Sequence, residues 1–238
     1  MKISVCIPMY NESKIIADTA KTLHSYMQET FGDDFEIVFS DDGSTDGSKE
    51  AVNALGLSNV RTVGYEKNRG KGCAVRTAFL ESIGDIAMFT DADLAYGTEV
   101  IGRVCAMFGE NPDADLVIGS RNISADGYEG YTFLRKLASK VYIKVLCLAG
   151  GFKLSDSQCG CKAFRRDAVN KIFPHCTVDG FAFDFEAILW SQKFGMKIKE
   201  MPVKVINHRE SKVRVLRDSV KMLRDLRKMK KRIKKSDI

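Results

Sequence analysis

Short apolar runs alternate with longer amphipathic stretches through the first 90 residues. The apolar runs predict strands at 2–8, 35–40, 59–63 and 85–90, and helical periodicity predicts helices at 14–31, up to Leu55, and at 71–82. Ser44 or Thr45 is the predicted N-cap of the second helix. Strands that alternate with helices form βαβ units, so the pattern predicts an α/β fold with a mostly parallel sheet flanked by helices.

The second half of the chain adds strands at 115–119 and 197–206, a polar loop at 154–164 that enters another strand, and helices at 132–148 and from 213 to about 234. No repeat or low-complexity linker divides it. We expect one α/β domain over residues 1–212, followed by a basic amphipathic helix over residues 213–238.

Polar clusters follow three of the predicted strands, at residues 10–12, at 41–42 and at Asp91 with Asp93. Ligands gather at the carboxyl ends of parallel strands, so these clusters should share one edge of the sheet. Residues 91 and 93 point the same way if they continue the strand, and they offer two oxygen donors to a hard cation. A single Asp-x-Asp is usually a solvated turn, but the neighbouring clusters favour a site for a metal-bound nucleotide.

Two basic positions lie close to this edge. The glycine-rich segment 68–72 lacks the upstream glycine and the Ser or Thr after Lys71 that a P-loop requires. Lys71 at a helix N-terminus is compatible with anion binding, and equally with a simple turn into the helix. Arg121 follows a predicted strand, where it would bind phosphate or be an ordinary surface arginine.

Two helices carry apolar stripes beside basic residues. Leu134, Leu137, Val141, Val145 and Leu148 recur at helical spacing, which is typical of core packing but also suits a helix on anionic lipid. The final helix has the same two interpretations. Between these helices, Asp184 lies among phenylalanines, where a carboxylate is costly unless it is paired or functional.

Charge, the lack of long apolar segments and the cysteine content indicate where in the cell the protein acts and in what redox state. The net charge is +6, yet residues 209–238 alone contain 13 Lys and Arg against 4 Asp and Glu, so the basic character is C-terminal. No signal peptide and no apolar stretch of about 18 residues is recognisable, so we expect a cytoplasmic protein bound peripherally to the membrane. The seven cysteines, with one close pair at 159 and 161, indicate reduced thiols rather than zinc ligands.

Eight segments together resemble the inverting family 2 glycosyltransferases of the GT-A (Rossmann-like) fold. They lie at residues 7–12, 40–46, 68–76, 91–94, 119–121 and, downstream, 156–164 with 180–186 and 210–212. The downstream segments are similar to those of the polyprenyl-phosphate branch, which contains dolichyl-phosphate mannose synthases and β-glucosyltransferases. Mannose synthases often carry Gln where this chain has Ala95, so one metal contact would be absent or made by water.

The resemblance implies roles for particular residues and a set of ligands. The implied ligands are a nucleotide-diphosphate sugar (UDP-glucose before GDP-mannose), a polyprenyl phosphate, Mg²⁺ or Mn²⁺, and a membrane surface or membrane-protein partner; no nucleic acid is expected. The implied residues are Pro8, Tyr10, Glu12, Asp42, Lys71, Asp91, Ala92 and Lys212 for the donor, Asp91 and Asp93 for the metal, Arg121, Arg135 and Ser139 for the acceptor, and Asp93, Arg121, Asp156 and Asp184 for catalysis.

The chemistry depends on the acceptor. A phosphate is ionised at pH 7 and needs no general base, so positioning by Arg121 and Arg135 and metal stabilisation of the leaving diphosphate would suffice. A hydroxyl acceptor on a cell-surface glycan would need a base, for which Asp156 and Asp184 are the candidates. A nucleotidyltransferase and a non-catalytic sugar-nucleotide-binding subunit remain as alternatives. The first would need a glycine-rich loop where this chain has residues 9–12, and the second would not need Asp91, Asp93 and Arg121.

Overall fold

The computed structural model describes residues 1–123, 126–127, 133–207 and 215–237, without the side chains of 133–136, 138 and 215–223. Its strands form one seven-stranded sheet in the order β3-β2-β1-β4-β6-β5-β7. The strands are β1 Ile3–Met9, β2 Phe35–Asp42, β3 Val60–Tyr65, β4 Ile86–Phe89, β5 Leu116–Ser120, β6 Lys162–Arg165 and β7 Ile198–Pro202. The helices are α1 Ile16–Phe31, α2 Ser48–Asn53, α3 Lys71–Glu81, α4 Glu99–Glu110, α5 Phe133–Gly150, α6 Arg166–Ile172, α7 Phe183–Lys193 and α8 Val215–Lys235, with a 3₁₀ turn at Phe173–His175.

The prediction of a mostly parallel α/β sheet is confirmed. The pairs β1–β2, β2–β3, β1–β4 and β5–β7 are parallel. Among the described strands, only β6 runs antiparallel to its two neighbours, β4 and β5. β5 therefore runs in the same direction as β1, β2 and β4. The antiparallel strand β6 lies between the parallel strands β3-β2-β1-β4 and the parallel pair β5-β7, and it hydrogen-bonds to both parts.

Helices cover both faces of the sheet, because successive strand residues point to opposite faces. In β1, Val5 and Ile7 face a core made with α1, α2 and α4, whereas Cys6 faces a core made with α3, α5, α6, α7 and α8. Both faces are buried, as parallel sheets require.

The predicted N-cap of α2 is wrong. The helix begins at Ser48 after Gly47, which has a left-handed φ of 84°. Ser44 Oγ accepts a hydrogen bond from Asn11 N at 2.9 Å, and Thr45 N donates to Asn11 Oδ1 at 2.9 Å. Residues 44 and 45 are thus used to join two loops instead of capping a helix. Strand β7 is also shorter than the predicted 197–206.

Helix α8 packs on the same core as the sheet. Leu226, Met229 and Ile233 are buried in the cluster that contains α5 and α7, and Arg232 binds the buried Glu186 carboxylate. The predicted boundary at residues 212/213 falls outside the described residues. Within the ranges described, none of the helices combines the length and apolar character needed to cross a membrane.

Candidate active site

Six of the seven described strands, all except β6, end at one edge of the sheet. β1, β2, β4 and β5 run in the same direction, so their last residues Met9, Asp42, Phe89 and Ser120 lie on the same side of the molecule. The loops that leave these strands carry most of the polar residues singled out in the sequence. The topology therefore brings the predicted clusters to a common edge.

Two lysine–carboxylate pairs lie close to the ring of Phe89, the last residue of β4. Lys71 Nζ binds Asp91 Oδ1, and Lys162 Nζ lies 2.6 Å from Asp184 Oδ1. The two ammonium groups lie 5.6 and 5.7 Å from the centre of the Phe89 ring. Lys162 is almost completely buried and also donates to a backbone carbonyl at 2.6 Å. The two lysines and two aspartates thus form a charged cluster in contact with an aromatic ring.

The charges of this cluster depend on one another. Burial lowers the pKa of Lys71, but Asp91, with further contributions from Asp184 and Asp93, outweighs burial and raises it above 10.5. Burial raises the pKa of Asp184, although Lys162 and Lys71 act in the opposite direction. Lys71 is thus a permanent cation held by carboxylates at this edge.

The Asp91–Asp93 segment forms a turn that the rest of the chain fixes on both sides. Thr19 Oγ1 in α1 donates to the backbone carbonyl of the buried Ala92 at 2.7 Å. Asn207 Nδ2 donates to the carbonyl of Asp93 at 3.1 Å, and Ala95 N donates to its Oδ1 at 3.1 Å. Ala92 is therefore a structural residue of the turn, and the two carboxylates lie on either side of it.

The donor set at this turn suits a hard divalent cation. Asp91 and Asp93 supply carboxylate oxygens, and the Lys71 ammonium shows that the position beside Asp91 attracts a cation. Among the residues described, no group of three or more His, Cys, Asp and Glu side chains is arranged to hold an ion. Mg²⁺ keeps water or substrate phosphate oxygens as its remaining ligands in such sites, so two carboxylates are compatible with it.

Asp42 anchors the glycine-rich segment. Its buried carboxylate accepts hydrogen bonds from Tyr65 OH at 2.7 Å, Asn68 Nδ2 at 2.9 Å, Arg69 N at 2.8 Å and Gly70 N at 2.9 Å. These donors fill its acceptor positions. In this structure Asp42, the predicted nucleoside ligand, positions the loop that leads to Lys71.

Asp179 holds the other side of the same segment. Its carbonyl accepts from Gly72 N at 2.8 Å and Cys73 N at 3.2 Å, and its carboxylate accepts from Arg76 Nη2 at 2.6 Å and Arg69 Nη2 at 3.1 Å. Burial raises the pKa of Asp179, but the two arginines outweigh it and lower the pKa below 3.8. The amides of Gly72 and Cys73 in the first turn of α3 are thus satisfied internally, so they are not available to an anion and the Lys71 side chain is the better candidate for binding one.

The loops after β1 and β2 form the remaining wall of the edge. Tyr10 is 40% exposed and Pro8 is partly buried. Glu12 N donates to Ser48 Oγ at 2.8 Å, which ties the first loop to the start of α2. Asp41 is buried and accepts from Ser44 N at 3.1 Å. This wall presents an aromatic ring beside carboxylates, a combination suited to a nucleoside.

A buried ion pair lies beyond β5. Arg121 Nε and Nη2 donate to the two oxygens of Asp156 at 2.7 and 3.0 Å. Burial lowers the pKa of Arg121, but the Asp156 carboxylate outweighs burial and raises the pKa well above its usual value. Glu200 Oε1 accepts from Asp156 N at 3.3 Å and from Ser155 Oγ at 2.6 Å. Asp156 therefore positions Arg121, and both of its oxygens are engaged.

Three predicted residues have less structural support. Ser139 lies partly buried on α5, and Arg135 is on the same helix with a side chain outside those described. Lys212 lies outside the described residues altogether. Their assignment to the acceptor and the donor stays a prediction.

The sequence interpretation missed Lys162, Asp179 and Glu200. Lys162 could have been found, because it stands between Cys161 and the apolar residues Ala163 and Phe164 in a segment predicted to enter a strand, where a lysine is unusual. Asp179 and Glu200 have no comparable signal. Their importance arises from contacts with residues 103 and 45 positions away along the chain.

Comparison with known proteins agrees with this geometry. The model of the family "Glycosyl transferase family 2" matches residues 4–173. A glucosyl-3-phosphoglycerate synthase from Mycobacterium tuberculosis, solved with Mn²⁺, UDP-glucose and phosphoglyceric acid, superposes with a TM-score of 0.71 at 20% identity, covering 99% of this chain and 81% of that one. The fold and the carboxylate-bearing sheet edge define a glycosyltransferase of the GT-A class.

Curated relatives are more similar in sequence. The dolichyl-phosphate β-glucosyltransferase of Saccharomyces cerevisiae is 31% identical, covering 94% of this chain and 72% of the yeast protein. The human protein of the same name is 28% identical, covering 85% and 66%. The chain therefore belongs to glycosyl transferase family 2, as its motifs indicate.

Proposed function

We propose that this enzyme transfers glucose from UDP-glucose to a dolichyl or other polyprenyl phosphate with inversion at the sugar carbon. The observation that carries the proposal is the 31% identity, over 94% of the chain, to a protein named as a dolichyl-phosphate β-glucosyltransferase. UDP-glucose is the favoured donor because that relative is named for glucosyl transfer and a structural neighbour was solved with UDP-glucose.

The charges at the sheet edge support a phosphate acceptor. A hydroxyl acceptor needs a general base, yet Asp156 is engaged on both oxygens by Arg121 and Asp184 is paired with Lys162. A phosphate is already anionic and requires only orientation and cationic partners. Arg121, held in one orientation by Asp156, supplies a guanidinium suited to this task.

The donor would bind across the edge from β2 to β4. Pro8, Tyr10 and Glu12 would face the nucleoside, with Asp41 as an additional carboxylate beside them. Asp91 and Asp93 would hold Mg²⁺ or Mn²⁺, which would stabilise charge on the leaving diphosphate. Lys71, released from Asp91 when a metal binds there, would keep its charge close to the diphosphate.

The remaining roles come from the family resemblance. Arg135 and Ser139 would complete the acceptor site with Arg121, and Lys212 would close over the donor. The same proposal places the enzyme at the cytoplasmic face of a membrane, where a lipid-linked acceptor is available.

A transfer assay tests the proposal. The full chain is incubated with radiolabelled UDP-glucose or GDP-mannose, a short polyprenyl phosphate, and Mn²⁺, Mg²⁺ or EDTA, and label is measured in the organic phase. We expect label from UDP-glucose in the presence of a divalent cation, and a β-linked product by NMR. Label that enters only hydroxyl acceptors, or no transfer from any sugar nucleotide, would refute it.

A further inference from the structure

Helix α5 exposes a continuous apolar stripe. Leu137, Val141, Val145 and Leu148 are 50%, 55%, 42% and 73% exposed. Their spacing of four, four and three residues places them on one face of the helix. Four of the eleven large hydrophobic residues that are exposed among those described lie on this helix. The sequence pattern most typical of core packing therefore belongs to a solvent-facing surface.

The stripe is not the face that packs on the protein. Ile143, Leu146 and Cys147 of the same helix are buried in the core with the sheet and α7. Helix α5 is thus apolar on two sides, and only one of them has a partner among the described residues. Exposed apolar surface of this kind marks a contact with another molecule or a membrane.

The charge around the stripe is positive. Residues 133–150 contain no Asp or Glu, and Lys140 and Lys144 are exposed between the apolar positions. With Lys153, these lysines line a cavity of about 400 Å³ that also touches Leu148 and Leu154. An apolar face with lysines at its border matches the boundary between anionic headgroups and acyl chains.

Helix α8 offers no equivalent surface over residues 224–235, the part of the helix whose side chains the structure describes. Its apolar residues Leu226, Met229 and Ile233 are buried, and Lys193 of α7 donates to the carbonyl of Ile233 at 2.8 Å. What this part presents to solvent is charged. It can attract a membrane electrostatically but has no apolar residue free to insert.

The exposed stripe adjoins the candidate acceptor site. The cavity beside it is also lined by Asn122 and Ser155, and Ser155 Oγ lies 2.5 Å from Ser120 Oγ. Arg121 and Asp156 are the next residues along each segment. A surface that binds lipid here would bring the membrane next to Arg121.

We propose that α5 is the membrane-docking surface of this enzyme. Leu137, Val141, Val145 and Leu148 insert at the headgroup–acyl boundary of a bilayer that contains anionic lipid, and Lys140 and Lys144 contact its phosphates. A membrane as the binding partner of α5 agrees with the proposed function, in which the acceptor is a lipid. The evidence for the surface itself is independent of that function.

Flotation with vesicles of phosphatidylcholine, with or without 30% phosphatidylserine, tests the proposal. Val141→Asp with Val145→Asp should weaken binding to the anionic vesicles by at least about tenfold, because two aliphatic side chains no longer insert. The matched control is Leu80→Asp with Ile83→Asp, which changes two exposed apolar residues elsewhere and should leave binding unchanged.

Charge-reversal variants distinguish the contributions of α5 and α8 to vesicle binding. Lys140→Glu with Lys144→Glu should lower binding by about 30-fold at low salt, and less at high salt. Lys228→Glu with Lys231→Glu makes the same charge change at exposed positions of α8 and should have a much smaller effect. Circular dichroism and melting temperature confirm that each variant is folded.

Three results would overturn the docking surface. The first is that charge reversal at Lys228 and Lys231 weakens binding as much as charge reversal at Lys140 and Lys144. The second is that the Val141→Asp, Val145→Asp variant binds vesicles as well as the wild type does. The third is that the wild type binds no vesicles but forms a dimer in solution, which the valine variant dissociates. Transfer to a water-soluble isoprenyl phosphate is measured in parallel. Wild type that binds vesicles through α5 but transfers no sugar would refute the proposed function and leave the docking surface intact.

Discussion

The ion pair between Arg121 and Asp156 gives the sharpest test of how this site is built. Asp156→Asn keeps the size of the side chain and removes its charge. The guanidinium would then face one carbonyl oxygen and one amide group in place of two carboxylate oxygens. Arg121 cannot lose its proton in response, so the variant leaves a buried charge without its counter-ion.

The expected loss of unfolding free energy follows from the burial of both side chains. The Asp156 side chain is 0% exposed and the Arg121 side chain 16% exposed. Removing one partner of a buried pair costs about 3–5 kcal/mol of unfolding free energy. For a chain of this size, each kcal/mol lowers the melting temperature by about 2–4 °C, so we expect a fall of roughly 6–20 °C.

Thermal unfolding and acceptor kinetics measure the outcome. Asp113→Asn is the matched control, because Asp113 forms an exposed ion pair with Lys197 and should melt like the wild type. Arg121→Met combined with Asp156→Leu should recover part of the lost stability, since it removes both charges. Asp156→Asn should also raise KM for the acceptor more than KM for the donor. If Asp156→Asn melts with the wild type, or the double variant is no more stable than the single one, the account of the pair is wrong.

Three further predictions concern the sheet edge. Asp93→Asn should lower turnover by several orders of magnitude with an unchanged circular dichroism spectrum, and full wild-type activity in excess EDTA would contradict the metal site. Gly72→Ala should destabilise the protein by about 1–3 kcal/mol in denaturant unfolding, because the new Cβ would lie 2.5 Å from a backbone carbonyl oxygen. Gly109→Ala is the control, because Gly109 has open space around it, and this change should stabilise the protein by about 0.5–1 kcal/mol. Asp179→Asn should lower the melting temperature at pH 7. Because the pKa of Asp179 is lowered, its stabilisation is complete above pH 3.8 and is lost as the pH falls through the lowered value, so the difference from the wild type should shrink in acid; a constant difference would show that ionisation is not its cause.

The local pattern of the chain was sufficient for the class of fold. Apolar runs and helical periodicity predicted the first four strands and the helices α1 and α3, and the alternation of the two predicted a mostly parallel sheet. These features depend on neighbours one to four residues apart, which a sequence displays directly. Asp91 and Asp93 were singled out for the same reason, since the strand and the two carboxylates are adjacent in the chain. The expectation that these residues continue the strand is wrong, because β4 ends at Phe89 and they lie in the turn that follows.

The direction of β6 and the roles of individual carboxylates were decided by tertiary contacts. Asp42 anchors residues 68–70 and Asp156 holds Arg121, and the sequence predicted neither contact. The nucleoside-binding role of Asp42 and the possible base role of Asp156 stay predictions. Each contact joins residues that are 26 to 35 positions apart. Periodicity carries no information on such pairs.

The two amphipathic helices show the same limit most clearly. From the sequence, α5 and α8 have equivalent apolar stripes with basic borders. In the fold, α8 buries Leu226, Met229 and Ile233, whereas α5 exposes Val141 and Val145. An apolar stripe determines that a helix has a face to cover. Only the packing of the whole chain determines which face the protein covers itself and which it leaves to another partner, because burial depends on the position of every neighbouring element.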